Sequence, residues 1–124
     1  MTYLVSQDLT AHQGDRLIAT VTITVDGAAL DLTGCVISAK IINNYKDRTL
    51  IAEFESAVDD PTSGQVVISV SGDITATWTG AGETDVQRSV RNWAVYDVRV
   101  TKDAITRTYA AGIIHLELGA IPSA

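Results

Sequence analysis

A chain of 124 residues with 46% hydrophobic residues is long enough for one packed domain and too apolar to be disordered. Fifteen acidic against nine basic residues give a net charge of -6 with no basic stripe, so neither nucleic acid nor an anionic membrane surface is an expected partner. The single cysteine, Cys35, excludes an internal disulfide, and no apolar run approaches the length of a membrane span.

Asp8–His12 reads as a short strand closed by the turn Gln13-Gly14-Asp15. Arg16–Val25 follows as a long strand: Ala19, Val21, Ile23 and Val25 alternate with Thr20, Thr22 and Thr24, the period of a strand with one buried and one wet face. Asp26-Gly27 tolerates positive φ at both positions and predicts a hairpin. Leu30–Gly34 leads into the strand Cys35–Ile42, with Cys35 on the apolar phase as a small buried hydrophobe.

Asn43–Arg48 is polar and reads as a loop tip, and Thr49–Val58 as a strand anchored by Ile51 and Phe54. Asp59–Gly64 holds nearly every turn-forming residue, and Gln65–Ser71 is the next strand. Ser71-Gly72-Asp73 can cap one helical turn over 73–78. Thr79–Asn92 is a long irregular stretch, and such loops in small domains tend to be functional or partner-bound. Trp93–Thr101 is a strand; Lys102-Asp103 turns the chain into Ile105–Ala110; Gly112 marks a bulge or crossing point before the closing strand Ile113–Leu118. With connections too short for parallel crossovers, the expectation is one all-β domain over 1–124, an antiparallel β-sandwich of about seven strands.

Reactive constellations are weak. His12 and His115 lack any metal-ligand spacing, so no metal or other cofactor is expected. Glu53 and Glu55 share a strand face but read as solvated edge charges, with Lys46 and Arg48 placed to neutralise them. No serine sits in a nucleophile elbow, Cys35 has no local base, and no glycine-rich loop has the phosphate-binding pattern, so no catalytic residue is assigned and an enzyme is not expected. Trp78 and Trp93 flank the long loop; they read as core residues, with a sugar-stacking platform as the alternative.

Three features go together: Gln13-Gly14-Asp15 before a long alternating strand, Leu30-Asp31-Leu32-Thr33-Gly34 running into Cys35–Ile42, and Val95-Tyr96-Asp97-Val98-Arg99-Val100 followed by a hairpin and Gly112. In that order and spacing they resemble a group of small Ig-like phage structural domains that includes the N-terminal module of phage baseplate upper proteins. The resemblance covers about residues 8–118. Two departures stand out: Thr79–Asn92 is longer than the corresponding connection, and no aromatic residue lies near Cys35. Baseplate upper proteins also continue into a helix and receptor-binding parts, whereas this sequence stops at Ala124.

The resemblance implies an Ig-like sandwich and a non-enzymatic virion protein, made in the host cytoplasm and assembled into the particle. No basic and apolar leader opens the sequence, in keeping with that expectation. Its expected partners are other virion proteins of the tail, baseplate or fibre-attachment region, with copies of the chain associating within the particle. The alternatives are a capsid decoration protein bridging major capsid subunits and, more remotely, a carbohydrate-binding or adhesion module. The candidate docking residues lie on the two loops: Asn43, Asn44, Tyr45, Lys46, Asp47 and Arg48 on one, and Glu83, Asp85, Gln87, Arg88 and Arg91 on the other.

Overall fold

The computed structural model describes residues 5–78 and 89–118, the side chains of residues 5 and 89–91 excepted. Three short strands open the described chain: β1 (Val5–Ser6), β2 (Leu9–His12) and β3 (Leu17–Thr22). A small ribbon of β4 (Thr24–Val25) and β5 (Ala28–Ala29) precedes β6 (Val36–Ile42). Then come β7 (Leu50–Glu53), β8 (Glu55–Ala57), β9 (Gln65–Val70), the helical turn α1 (Gly72–Thr75), β10 (Ser89–Lys102) and β11 (Ile105–Glu117).

One sheet runs β1-β11-β10-β6-β7, with β2 also on β11; the other runs β3-β9-β8. Alternation builds both inner faces. Ala39 and Ile41 of β6, Tyr96, Val98 and Val100 of β10, and Ile114 and Leu116 of β11 are buried on one side; Val21, Val66, Ile68 and Val70 are buried on the other. β9 lies between β3 and β8, as the fifth strand of the Ig scheme lies between the second and fourth, and the facing sheet β11-β10-β6 matches the scheme's last, sixth and third strands with β7 added at its edge, so the domain is an Ig-like β-sandwich.

Several local expectations hold. Asp26 and Gly27 take φ of 53° and 81° and close the β4–β5 hairpin. Leu32 is buried, and beside it Asp31 Oδ1 accepts from the Thr33 hydroxyl (2.7 Å) and N–H (2.9 Å). Those two bonds, the hydroxyl's first, hold the Asp31 carboxyl below its ordinary value. Asp60 caps the Pro61–Ser63 turn in the same way, accepting from the Thr62 hydroxyl at 2.8 Å and N–H at 3.0 Å.

Other expectations are corrected. The sheet is not wholly antiparallel: β1 and β2 both run parallel to β11. Short connections do not bar this pairing, because the first and last strands are joined by the whole intervening chain. Arg16–Val25 breaks at Ile23, whose N–H donates to the Gly64 carbonyl and whose carbonyl accepts from Leu30.

Thr49–Val58 also divides, and its halves lie in different sheets. The Phe54 N–H still donates to the Ala39 carbonyl of β6 (2.8 Å), whereas Glu55 already pairs with Ser69 of β9. Glu53 and Glu55 therefore do not share a strand face; Glu53 stands opposite Lys40. Phe54 sits at the crossing, buried edge-on against Tyr96 with ring centroids 5.8 Å apart.

The last hairpin turns at Asp103-Ala104, both at positive φ, rather than Lys102-Asp103. The register shift on β11 falls at Tyr109, between Ala110 and Thr108, and not at Gly112, which marks a close approach instead. Cys35 is half-buried just before β6, not a core residue. The helical turn starts and ends earlier than predicted, at Gly72–Thr75, and Ser71 caps it without a side-chain bond. Ser89–Asn92, expected in the irregular stretch, is the start of β10.

Candidate docking loop and the groove beside it

The β6–β7 connection, residues 43–49, is built by asparagine. Asn43 Oδ1 accepts from the Asn44 N–H (2.7 Å) and the Thr49 N–H (2.9 Å), while the Asn43 N–H donates to the Thr49 carbonyl (3.0 Å). Asn44 Oδ1 accepts from the Asp47 N–H (2.7 Å), and Asn44 Nδ2 donates to Asp47 Oδ2 (3.3 Å). The Arg48 N–H donates to the Asn44 carbonyl (2.9 Å), and Arg48 Nε donates to the Tyr45 carbonyl (3.1 Å). Two amide side chains thus supply bonds that a longer ladder would have supplied, as these residues do in turns.

The consequence is a loop whose shape is set before any partner arrives. Arg48 takes the left-handed conformation at φ 56°, uncommon for a residue with a Cβ and held here by the bonds around it. Asn44, Tyr45, Lys46, Asp47 and Arg48 are all exposed, and Asn43 is half-buried at the strand end. Tyr45 is 55% exposed, one of few large aromatic surfaces that the described residues offer to solvent.

Beside the loop, the outer face of β6 and β10 forms an open groove of about 190 Å³ lined by Lys40, Ile42, Tyr45, Arg48, Asp97 and Arg99 among others. The register explains the grouping: Lys40 faces Asp97 and Ser38 faces Arg99 across the β6–β10 ladder. Arg99 Nη2 lies 3.4 Å from Asp97 Oδ2. The sequence reading does not include Lys40 and Arg99 among the site residues. The available signal was that each is an outward-phase cation between buried apolar neighbours, Ala39 and Ile41 for one, Val98 and Val100 for the other.

Of the second predicted loop, Glu83, Asp85, Gln87 and Arg88 lie outside the described residues. Arg91 is on the backbone of β10. β10 meets β6 only from Val95 onward, paired with Ile42, so its first residues and the 43–49 loop lie at the same end of the sheet.

Trp78 is buried and its ring packs 4.9 Å from that of the half-buried Trp93, so Trp78 is a core residue and not an open sugar platform. His12 and His115 lie on neighbouring strands with separate partners: His12 Nδ1 is 3.4 Å from Glu117 Oε2, and His115 Nδ1 accepts from the Asn92 N–H at 3.1 Å. No group of three or more His, Cys, Asp or Glu side chains is gathered for a metal ion among the described residues.

No protein-family model matches the chain, and no curated protein is similar to it at a significant level. Among solved structures it is similar to a chain in the crystal structure of the ZIG-8-RIG-5 IG1-IG1 heterodimer (monoclinic form), with 9% identity, 94% of this chain and 82% of that chain covered, and a TM-score of 0.38. A likeness of that size carries no argument, and the Ig-like assignment rests on the strand order described above.

Proposed function

We propose that this chain is a non-enzymatic structural protein of a phage virion, docking onto other virion proteins in the tail, baseplate or fibre-attachment region. The ordered motifs around Gly14, Leu30–Gly34 and Tyr96 support the family side of the reading. The observation that carries docking is the 43–49 loop, which is locked by its asparagines and presents Tyr45 to solvent. A loop ordered in advance loses little conformational entropy on binding, and an exposed tyrosine on a rigid frame is a common interface anchor.

The test is mass spectrometry of particles purified from a lysate of cells that carry the gene in its natural context, with amine cross-linking. Lys46 is exposed on the loop and supplies the reporter amine. The expected result is recovery of the chain in stoichiometric amount, with Lys46 linked to a tail or baseplate protein. Links to the major capsid protein would move the chain to the capsid exterior as a decoration protein. Absence from purified particles would remove the virion reading altogether.

A further inference from the structure

We infer that the groove beside the docking loop takes an acidic, extended peptide segment of a neighbouring protein; this deepens the docking reading and rests on it. The chain is acidic overall, yet six of its nine basic residues, Lys40, Lys46, Arg48, Arg91, Arg99 and Lys102, lie on β6, β10 or the loop beside them. Three of them line the groove.

Of the groove's three cations, only Arg99 forms a salt bridge with another described residue. Asp97 is paired with Arg99. Glu53 stands across from Lys40, and Asp47 is engaged by Asn44, but neither Lys40 nor Arg48 forms a salt bridge with another described residue. Arg48 spends its Nε–H on the Tyr45 carbonyl, which fixes the guanidinium plane and leaves its terminal amino groups for a carboxylate.

Size decides between kinds of occupant. At about 190 Å³ the groove falls below the roughly 300–1,000 Å³ of pockets that enclose small organic ligands. It suits a few side chains of an extended segment, carboxylates on the cations and an apolar group against Ile42 and Tyr45. A nucleic-acid strand would bring its phosphates to a molecule of net charge -6, whereas a short acidic segment sets charge only where the cations are.

The experiment titrates the purified protein into fluorescein-labelled Glu-Asp-Tyr-Glu-Asp and reads anisotropy at low salt. Saturable binding is expected, lost for Gln-Asn-Tyr-Gln-Asn and reduced as salt rises. Arg48→Asn keeps a residue that tolerates positive φ, and Lys40→Gln lies on an exposed face; each should weaken binding about fivefold, within the range of exposed ion pairs. Equal binding of the neutral peptide, or indifference to both substitutions, overturns the inference. So does tighter binding of an oligothymidylate, or a dimer in sedimentation that both substitutions dissociate, since a second copy would then fill the groove. Peptide failure with normal recovery in particles defeats this inference alone; absence from particles with peptide binding intact defeats the virion reading alone.

Discussion

The ring of Tyr96 lies over Gly112, its direct partner across the β10–β11 ladder. A Cβ on Gly112 would come within 2.9 Å of Tyr96 Cε1 and 2.0 Å of the Gln7 carbonyl oxygen. The Tyr96 hydroxyl donates to that same carbonyl, and Asp8 Oδ1 next door accepts the Ile113 N–H at 3.1 Å. Gly112 is thus the gap through which the first segment of the chain is fastened to the last strand and to the core.

Gly112→Ala should therefore be among the most damaging single-methyl changes in the domain. The methyl meets backbone, which cannot rotate away, so the N-terminal segment or the Tyr96 ring must move. A loss of about 3 kcal/mol is expected in urea unfolding, against a few tenths for a substitution at an open site.

Tyr96 also makes the fold sensitive to alkali. Burial, and then the negative charge of Asp8, push its phenol from 10.0 up to about 12. The folded state keeps the proton that the unfolded chain releases near 10, so this contribution is whole below pH 10 and is lost as pH rises toward 12. Tyr96→Phe should be less stable than the parent at neutral pH by about 1–2 kcal/mol, since the Gln7 carbonyl loses its donor. Its stability should also fall less steeply between pH 10 and 12, followed by chemical unfolding at each pH. Parallel pH profiles for the two proteins would show that Tyr96 does not titrate with folding.

Thr75 ties the helical turn to the first long turn. Its hydroxyl donates to the Asp15 carbonyl (2.7 Å) and accepts from the Gly14 N–H (3.1 Å), and it is fully buried. Thr75→Val keeps the shape and strands both groups. It should lower stability by about 1–3 kcal/mol in thermal unfolding, whereas Thr75→Ser should cost less.

Asn44→Ala tests the rigidity of the docking loop. It removes the acceptor of the Asp47 N–H and leaves the core untouched. Hydrogen exchange at Asp47 should accelerate while exchange in β6 and β10 stays unchanged, with a stability change within about 1 kcal/mol. Equal protection at Asp47 would mean that the loop is ordered by something other than its asparagines.

Strands such as Val66–Val70 and Ala94–Val100 were legible because alternation needs only neighbouring residues, and the buried sets match the apolar phase closely. The crossing at Phe54 was not. Ala52 and Phe54 continue one buried phase across it, while Ile51, expected as an anchor, is only half-buried on the other, and which sheet backs the chain is decided by β6 on one side and β9 on the other. The parallel pairing of β1 and β2 with β11 is likewise a long-range choice. At the candidate site, Asn43–Arg48 was legible as a polar loop, but its rigidity depends on side chains closing onto backbone in three dimensions. Lys40 and Arg99 come together only through the β6–β10 register, which no local pattern encodes.

Docking through the 43–49 loop is tested most directly by the occupancy of Tyr45→Ala in assembled particles, measured by quantitative mass spectrometry against the parent chain. The exposed ring contributes little to the fold, so the variant should melt as the parent does, while its occupancy falls by about tenfold, as expected for an interface anchor. A variant that fills particles as fully as the parent would contradict the account.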